Sequence, residues 1–75
     1  MQTSVFSEHL AALLKHSLKL DGGTGTDTDF LELQTLEANI IRAYNIGYYR
    51  GEAAQALTAI AGQLHKEYRQ ALRLD

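Results

Sequence analysis

The sequence contains no cysteine and no proline among its 75 residues. Without cysteine, the fold can hold neither a disulfide nor a thiolate metal site. A chain this short buries only about 60% of the surface that its unfolded form exposes, so a lone monomer is marginally stable. Self-association is a common remedy in such small domains. We therefore predict a homo-oligomer or a complex with a protein partner.

Long apolar runs and an excess of positive charge are also missing. No segment reaches the length of a transmembrane helix, and the amphipathic start of the chain, which carries Glu8, does not resemble a signal peptide. We expect a cytoplasmic protein with no membrane contact. The formal net charge of -2 argues against general binding to nucleic acid.

The feature that is present is a regular hydrophobic pattern in the second half of the chain. Apolar or small residues, with one arginine among them, recur every three or four positions, which is typical of a helix packed on another helix. This stripe consists of Leu33, Leu36, Ile40, Ala43, Gly47, Arg50, Ala54, Leu57, Ala61, Leu64, Tyr68 and Ala71. The pattern predicts an all-α fold.

The local signals divide one small helical domain, residues 1–75, into helices and a loop. Helix 1 is expected over about residues 5–19, with Ser4 as its N-cap. Glycine, threonine and aspartate dominate residues 21–29, which predicts a flexible loop. Asp29 followed by Glu32 resembles a capping box, so helix 2 is expected to begin near Phe30.

Two arrangements of the remaining chain fit the stripe. In the first, helix 2 (about 30–50) ends at Gly51 and helix 3 (about 52–74) folds back, so that helix 1 packs on a helical hairpin. Residues 48–52, followed by Ala56 and Leu57, are locally similar to the turn of a tetratricopeptide-type hairpin, which implies a hairpin and not membership of that family. In the second, one continuous helix forms a dimeric, coiled-coil-like rod about 65 Å long. In either arrangement, close approach of a neighbouring helix would compensate for Gly47 and Gly51 within the stripe, unless Gly51 only ends a helix.

No combination of residues predicts catalysis or a bound cofactor. Asp21, Asp29 and Glu32 fall at liganding positions of an EF-hand loop, but glycines occupy two other liganding positions, so we expect no calcium site. The three histidines lack metal-ligand spacing, and no nucleophile has a base beside it. We predict a protein that is not an enzyme, with no metal and no cofactor.

Glu37 is the most unusual residue of the stripe, because a buried carboxylate is unfavourable unless it is paired. It is expected either to reach water near a bundle end or to pair with His9, His16 or a lysine of helix 1. His16 lies outside the apolar stripe of helix 1 and is expected to be solvated. His65 lies at the edge of the helix 3 stripe and is expected to have a structural role.

Two surfaces are candidates for binding a partner. Arg42, Ile46 and Tyr49 project away from the stripe on a helical wheel, and Arg50 adjoins them at the junction of helices 2 and 3. Exposed aromatic and apolar residues beside arginine are enriched at interfaces. We therefore predict a protein–protein interaction module, acting as an adaptor, cochaperone or regulator.

The second surface is a basic face on helix 3. It consists of Lys66, Arg69 and Arg73, which would suit an acidic partner. The alternative function is therefore a nucleic-acid-associated regulatory protein that contacts phosphates through these residues.

Overall fold

The computed structural model describes residues 4–74, and residues 1–3 and 75, the ends of the predicted domain, lie outside it. Over the described range the chain forms three helices and no strand. They are α1 (Val5–Asp21), α2 (Asp27–Asn45) and α3 (Glu52–Ala71). The helices α2 and α3 pack closely together, and α1 packs against both. The predicted all-α fold, with an N-terminal helix on a helical hairpin, is confirmed.

The hairpin is formed by antiparallel packing of α2 and α3. Near the turn, the Gln55 amide donates to the Tyr44 hydroxyl at 3.1 Å. Further along α3, His65 lies 2.7 Å from Glu37, which precedes Tyr44 in α2. The described residues span 34 × 27 × 18 Å. A continuous rod of about 65 Å would not fit these dimensions, so the alternative arrangement is wrong for this structure.

The turn between α2 and α3 begins earlier than the sequence indicated. The helix α2 ends at Asn45 rather than near residue 50. The Gly47 N–H donates to the Tyr44 carbonyl and the Tyr48 N–H to the Ala43 carbonyl, which together form a Schellman motif. Gly47 has a φ of +83°, in the left-handed region that glycine adopts without steric penalty.

Gly51 has a different place from the one predicted, because it begins α3 instead of ending helix 2. It is the N-cap of α3, with a φ of +94°. A Cβ atom built on Gly51 would meet none of the described atoms within 4 Å. Gly47 and Gly51 therefore allow backbone conformations with positive φ, and neither lies at a close approach of a neighbouring helix.

The segment between α1 and α2 is shorter than the predicted loop. It comprises residues 22–26, because α2 already begins at Asp27. The capping box lies one turn earlier than expected: Thr26 is the N-cap, and its side chain and that of Asp29 each accept a hydrogen bond from the other's backbone N–H. The predicted cap, Asp29, was wrong because Asp29 and Glu32 have the same spacing as Thr26 and Asp29.

The predicted stripe forms the core, and α1 contributes to it. The fully enclosed cluster consists of Leu13, Leu33, Ile40, Leu57, Ala61, Leu64 and Tyr68. Burial of each large apolar side chain contributes about 1.5–3 kcal/mol. Two members of the stripe, Gly47 and Arg50, lie in the turn, and Ala71 is exposed at the end of α3.

The turn can be tested through the sign of one substitution. Gly47→Ala is expected to lower the free energy of unfolding by about 1–2 kcal/mol, because alanine would have to adopt a left-handed conformation. In a continuous helix the same change would raise stability by about 1 kcal/mol. Urea unfolding followed by circular dichroism measures the difference, and a stabilised variant would contradict the hairpin.

Candidate functional site

The turn between α2 and α3 presents two large apolar side chains to solvent. Ile46 is 63% exposed and Tyr48 is 70% exposed. Ile46 is the C-cap residue of α2, and the Schellman hydrogen bonds hold the backbone on both sides of Gly47. Arg42 and Arg50, which are also exposed, come before and after this pair. We call Arg42, Ile46, Tyr48 and Arg50 the turn surface.

Arg50 lies across the turn. Its Nη2 atom is 3.0 Å from the position that a Cβ atom would occupy on Gly47. The guanidinium therefore uses the space that the missing side chain leaves. Arg50 can occupy a position of the apolar stripe because it lies in the turn, outside both helices.

Tyr49 does not project away from the core, as the helical wheel had indicated. Its ring packs against the core and meets Phe6 edge-on, with 5.4 Å between the ring centroids. The Tyr49 hydroxyl donates to the Ile40 carbonyl at 3.3 Å and lies 3.0 Å from Nδ1 of His9. The helical wheel assumed that helix 2 continues to residue 50. The chain leaves α2 after Asn45, and the turn directs the Tyr49 side chain towards the core. Tyr48 takes the exposed position instead.

The predicted basic face is only partly helical. Lys66 and Arg69 are exposed on α3, whereas Arg73 lies beyond the end of that helix with a φ of +56°. The hydrogen bonds from the Arg73 N–H to the Gln70 carbonyl and from the Leu74 N–H to the Arg69 carbonyl form another Schellman motif. Arg73 therefore does not continue the helical row of Lys66 and Arg69.

A second candidate site joins α1 to the start of α2, and no local pattern in the sequence indicates it. His16, expected in solvent, is buried with only 4% of its surface exposed, and Asp29, expected in a loop, is 3% exposed. Lys19 Nζ donates to Oδ1 of Asp29 at 2.6 Å. His16 Nδ1 lies 3.8 Å from the same oxygen, and its Nε2 lies 3.9 Å from Oε2 of Glu32. We call His16, Lys19, Asp29 and Glu32 the polar cluster.

The carboxylate of Asp29 is the most strongly perturbed group among those of the described residues. The hydrogen bond from Lys19 lowers its pKa to about 2, and the hydrogen bonds from the Thr26 backbone and hydroxyl act in the same direction. Burial opposes this shift but is outweighed. The same contact raises the pKa of Lys19. The pair therefore remains charged although Asp29 is almost fully buried.

Glu37 pairs with a histidine of α3, whereas the sequence suggested a partner from helix 1. Its Oε1 lies 2.7 Å from Nδ1 of His65 in α3, not beside a residue of α1. The Phe30 ring packs on the His65 imidazole with centroids 5.0 Å apart. Gly62 leaves room for the carboxylate, because a Cβ atom there would stand 3.2 Å from Oε2 of Glu37. His65 thus has the structural role that its position suggested.

Comparison with known proteins adds no relative. No protein-family model matches the chain, and the searches of curated proteins and of solved structures found no significant match. Over residues 4–74, no helix is long and apolar enough to cross a bilayer. No pocket opens in the same part of the chain.

The Asp29–Lys19 pair predicts a specific acid dependence of stability. Because folding lowers the pKa of Asp29 to about 2, the carboxylate contributes fully above its unfolded pKa of about 3.9. The contribution is lost as the pH falls through the folded pKa. Asp29→Asn is therefore expected to be less stable than the wild type at pH 6, and the gap is expected to narrow towards pH 2. Urea unfolding between pH 2 and pH 6 measures the difference in free energy of unfolding between the two proteins.

The matched control is Asp27→Asn, which removes an exposed carboxylate from the same first turn of α2. It accounts for the attraction between an acid and the helix N-terminus, which both aspartates share. If the wild type and Asp29→Asn differ in free energy of unfolding by the same amount at pH 2 as at pH 6, that result would contradict the ion pair.

Proposed function

We propose that this chain is a small protein–protein interaction module, an adaptor, cochaperone or regulator, which binds its partner through the turn surface. The observation that carries the proposal is the exposure of Ile46 and Tyr48 within three residues of each other on a hydrogen-bonded turn. Aromatic residues and arginine are enriched at the centres of protein–protein interfaces. The turn exposes both kinds of side chain next to an isoleucine.

The rigidity of the turn supports this proposal. Binding is weakened by the conformational entropy lost when a flexible surface becomes ordered. The backbone on both sides of Gly47 is already held by the Schellman hydrogen bonds. Ile46 and Tyr48 therefore project from a backbone that needs little further ordering on contact.

The chemistry of the turn surface also indicates what kind of partner would fit. Ile46 and Tyr48 require an apolar recess, and Arg42 and Arg50 favour carboxylates around its rim. Arginine and tyrosine are among the residue types most often found to dominate binding energies. The partner surface is therefore expected to be a hydrophobic depression bordered by aspartate or glutamate, either on another protein or on a second copy of this chain.

A second exposed apolar pair must be separated from the turn surface by experiment. Leu14 and Leu18 lie four residues apart on α1 and are 57% and 71% exposed. Exposed apolar side chains are common on monomeric proteins. We favour the turn surface because it combines aromatic, aliphatic and cationic groups, and because binding residues concentrate in connections between rigid elements.

The alternative is a nucleic-acid-associated regulatory protein that uses Lys66, Arg69 and Arg73. The exposure of all three residues is compatible with phosphate contacts. The net charge of -2 opposes it. Gel retardation at low and moderate salt distinguishes the two functions. As part of the main proposal, we expect the protein to be cytoplasmic and either to self-associate or to bind another protein.

The experiment compares two variants of the turn. Ile46→Ser combined with Tyr48→Ala is expected to leave the free energy of unfolding within about 0.5 kcal/mol of the wild type, because both side chains are exposed. Tyr49→Ala is expected to lower it by about 2 kcal/mol or more, because it removes core packing and a hydrogen bond. In sedimentation, the wild type is expected to self-associate at micromolar concentration, and the Ile46/Tyr48 variant is expected to be monomeric.

The control for the surface is the pair of changes Leu14→Ser and Leu18→Ser on α1. If the wild type is a monomer, immobilised wild type and the Ile46/Tyr48 variant are compared for proteins retained from an extract of the native host. Retention by the wild type alone supports the turn surface. Loss of association in the α1 variant but not in the turn variant would contradict it, as would equal retention by both proteins.

A further inference from the structure

The polar cluster brings an imidazole and two carboxylates together at the edge of the core. His16 comes from α1, and Asp29 and Glu32 come from one turn of α2. One potential ligand atom from each of these three side chains lies within 4.8 Å of the other two. Folding thus brings together three residues whose spacing in the sequence predicts no site.

The second observation is an unsatisfied nitrogen at the centre of the cluster. The His16 side chain is only 6% exposed. Its Nδ1 atom is buried and has no hydrogen-bond partner among the described residues, because Oδ1 of Asp29 lies 3.8 Å away. Buried polar atoms are nearly always satisfied in native proteins, and those that are not often serve to bind an ion or a water molecule.

We propose that His16, Asp29 and Glu32 form a binding site for a divalent transition-metal ion of the Zn²⁺ type. Imidazole suits zinc and its neighbours, whereas calcium and magnesium prefer oxygen ligands throughout. Three protein ligands would leave a fourth position for water, as in other open zinc sites. The expectation from histidine spacing, that the chain holds no metal, did not consider carboxylate ligands from a second helix.

The three ligand atoms, now within 4.8 Å of one another, must contract by up to about 1.5 Å to surround one ion. Ligand atoms about 2.0–2.1 Å from a tetrahedral zinc ion stand about 3.3 Å from one another. Nδ1 of His16 and Oδ1 of Asp29 are now separated by 3.8 Å, so a shift of about half an ångström would suffice. Glu32 now faces the other ring nitrogen, with its Oε2 3.9 Å from Nε2, and makes the larger movement. Its side chain is 59% exposed and can rotate towards the ion from the solvent side.

Lys19 would compete with the metal for Asp29. The second oxygen of Asp29, Oδ2, already accepts hydrogen bonds from the backbone and hydroxyl of Thr26. An ion bound to the remaining oxygen, Oδ1, would stand close to the Lys19 ammonium on the same atom, and the two positive charges would repel each other. Because the Lys19 side chain is 35% exposed, the ammonium can move into water when a metal binds.

Metal binding would fasten α1 to the hairpin. The ion would bridge His16 of α1 and the first turn of α2, at the end of α1 where Lys19 now makes the same link. A ligand that binds only the folded form raises the unfolding temperature in proportion to the logarithm of its concentration. The site therefore has a readout that requires no knowledge of the protein's partner.

The experiment titrates the full chain with ZnCl₂ by isothermal calorimetry, by thermal unfolding and by NMR of the histidine rings. The variants are Glu32→Gln, which removes an exposed ligand, and Lys19→Met, which removes the competitor. Glu67→Gln is the matched control, since it removes an exposed carboxylate from α3. CaCl₂ at equal concentration tests whether any divalent cation acts. Circular dichroism confirms that each variant is folded.

We expect the wild type and Glu67→Gln to bind one Zn²⁺ equally, with the His16 ring signals moving more than those of His9 and His65. Glu32→Gln should bind at least about tenfold more weakly and Lys19→Met more tightly, whereas calcium should leave the unfolding temperature unchanged. The proposal is overturned if the wild type does not bind millimolar Zn²⁺. It is also overturned if Glu32→Gln binds as tightly as Glu67→Gln, or if the His65 signals move instead.

Discussion

The hydroxyl of Tyr68 makes the buried contact on which the arrangement of the helices depends. Tyr68 lies in the last part of α3 and is fully buried. Its hydroxyl donates to the carbonyl oxygen of His16 in α1 at 2.8 Å, and its ring meets the His16 imidazole edge-on. A Cβ atom on Gly25 would stand 2.7 Å from the ring, so the segment between α1 and α2 passes directly over it. One side chain thus positions α1, α3 and the segment that connects α1 to α2.

The polar cluster follows from this contact. Because Tyr68 fixes His16 from one side, the imidazole faces the first turn of α2, where Asp29 and Glu32 are placed by the capping box at Thr26. Lys19, one turn after His16 on α1, then reaches Asp29. The α1 interface is therefore partly apolar, through Leu13, and partly ionic. The hairpin combines an apolar core with the Glu37–His65 pair in the same way.

The sequence predicted most of the core, because a stripe with helical period reports directly which face of each helix is buried. It favoured a hairpin but left a continuous rod open, because the same stripe fits both arrangements. It also located Ser4 as the cap of α1, since capping depends on neighbouring residues alone. It failed at Tyr49, where a helix end misplaced by a few residues reversed the side chain. It failed at His16 and Asp29 because their burial arises from contacts between different helices, which have no local signature. Ile46 and Arg50 were placed correctly near the turn, but Tyr48 was overlooked.

The hydrogen bond from the Tyr68 hydroxyl to the His16 carbonyl fixes the position of α1 on the hairpin, together with the packing of Leu13 and the Lys19–Asp29 pair. Amide hydrogen exchange of Tyr68→Phe, compared with the wild type, tests this role most directly. Loss of the hydroxyl removes a buried hydrogen bond worth about 0.5–1.5 kcal/mol, while the His16 carbonyl keeps its helical partner within α1. We expect faster exchange along α1, with the protection of α2 and α3 reduced less. Equal protection of the α1 amides in the two proteins would contradict this role of the Tyr68 hydroxyl.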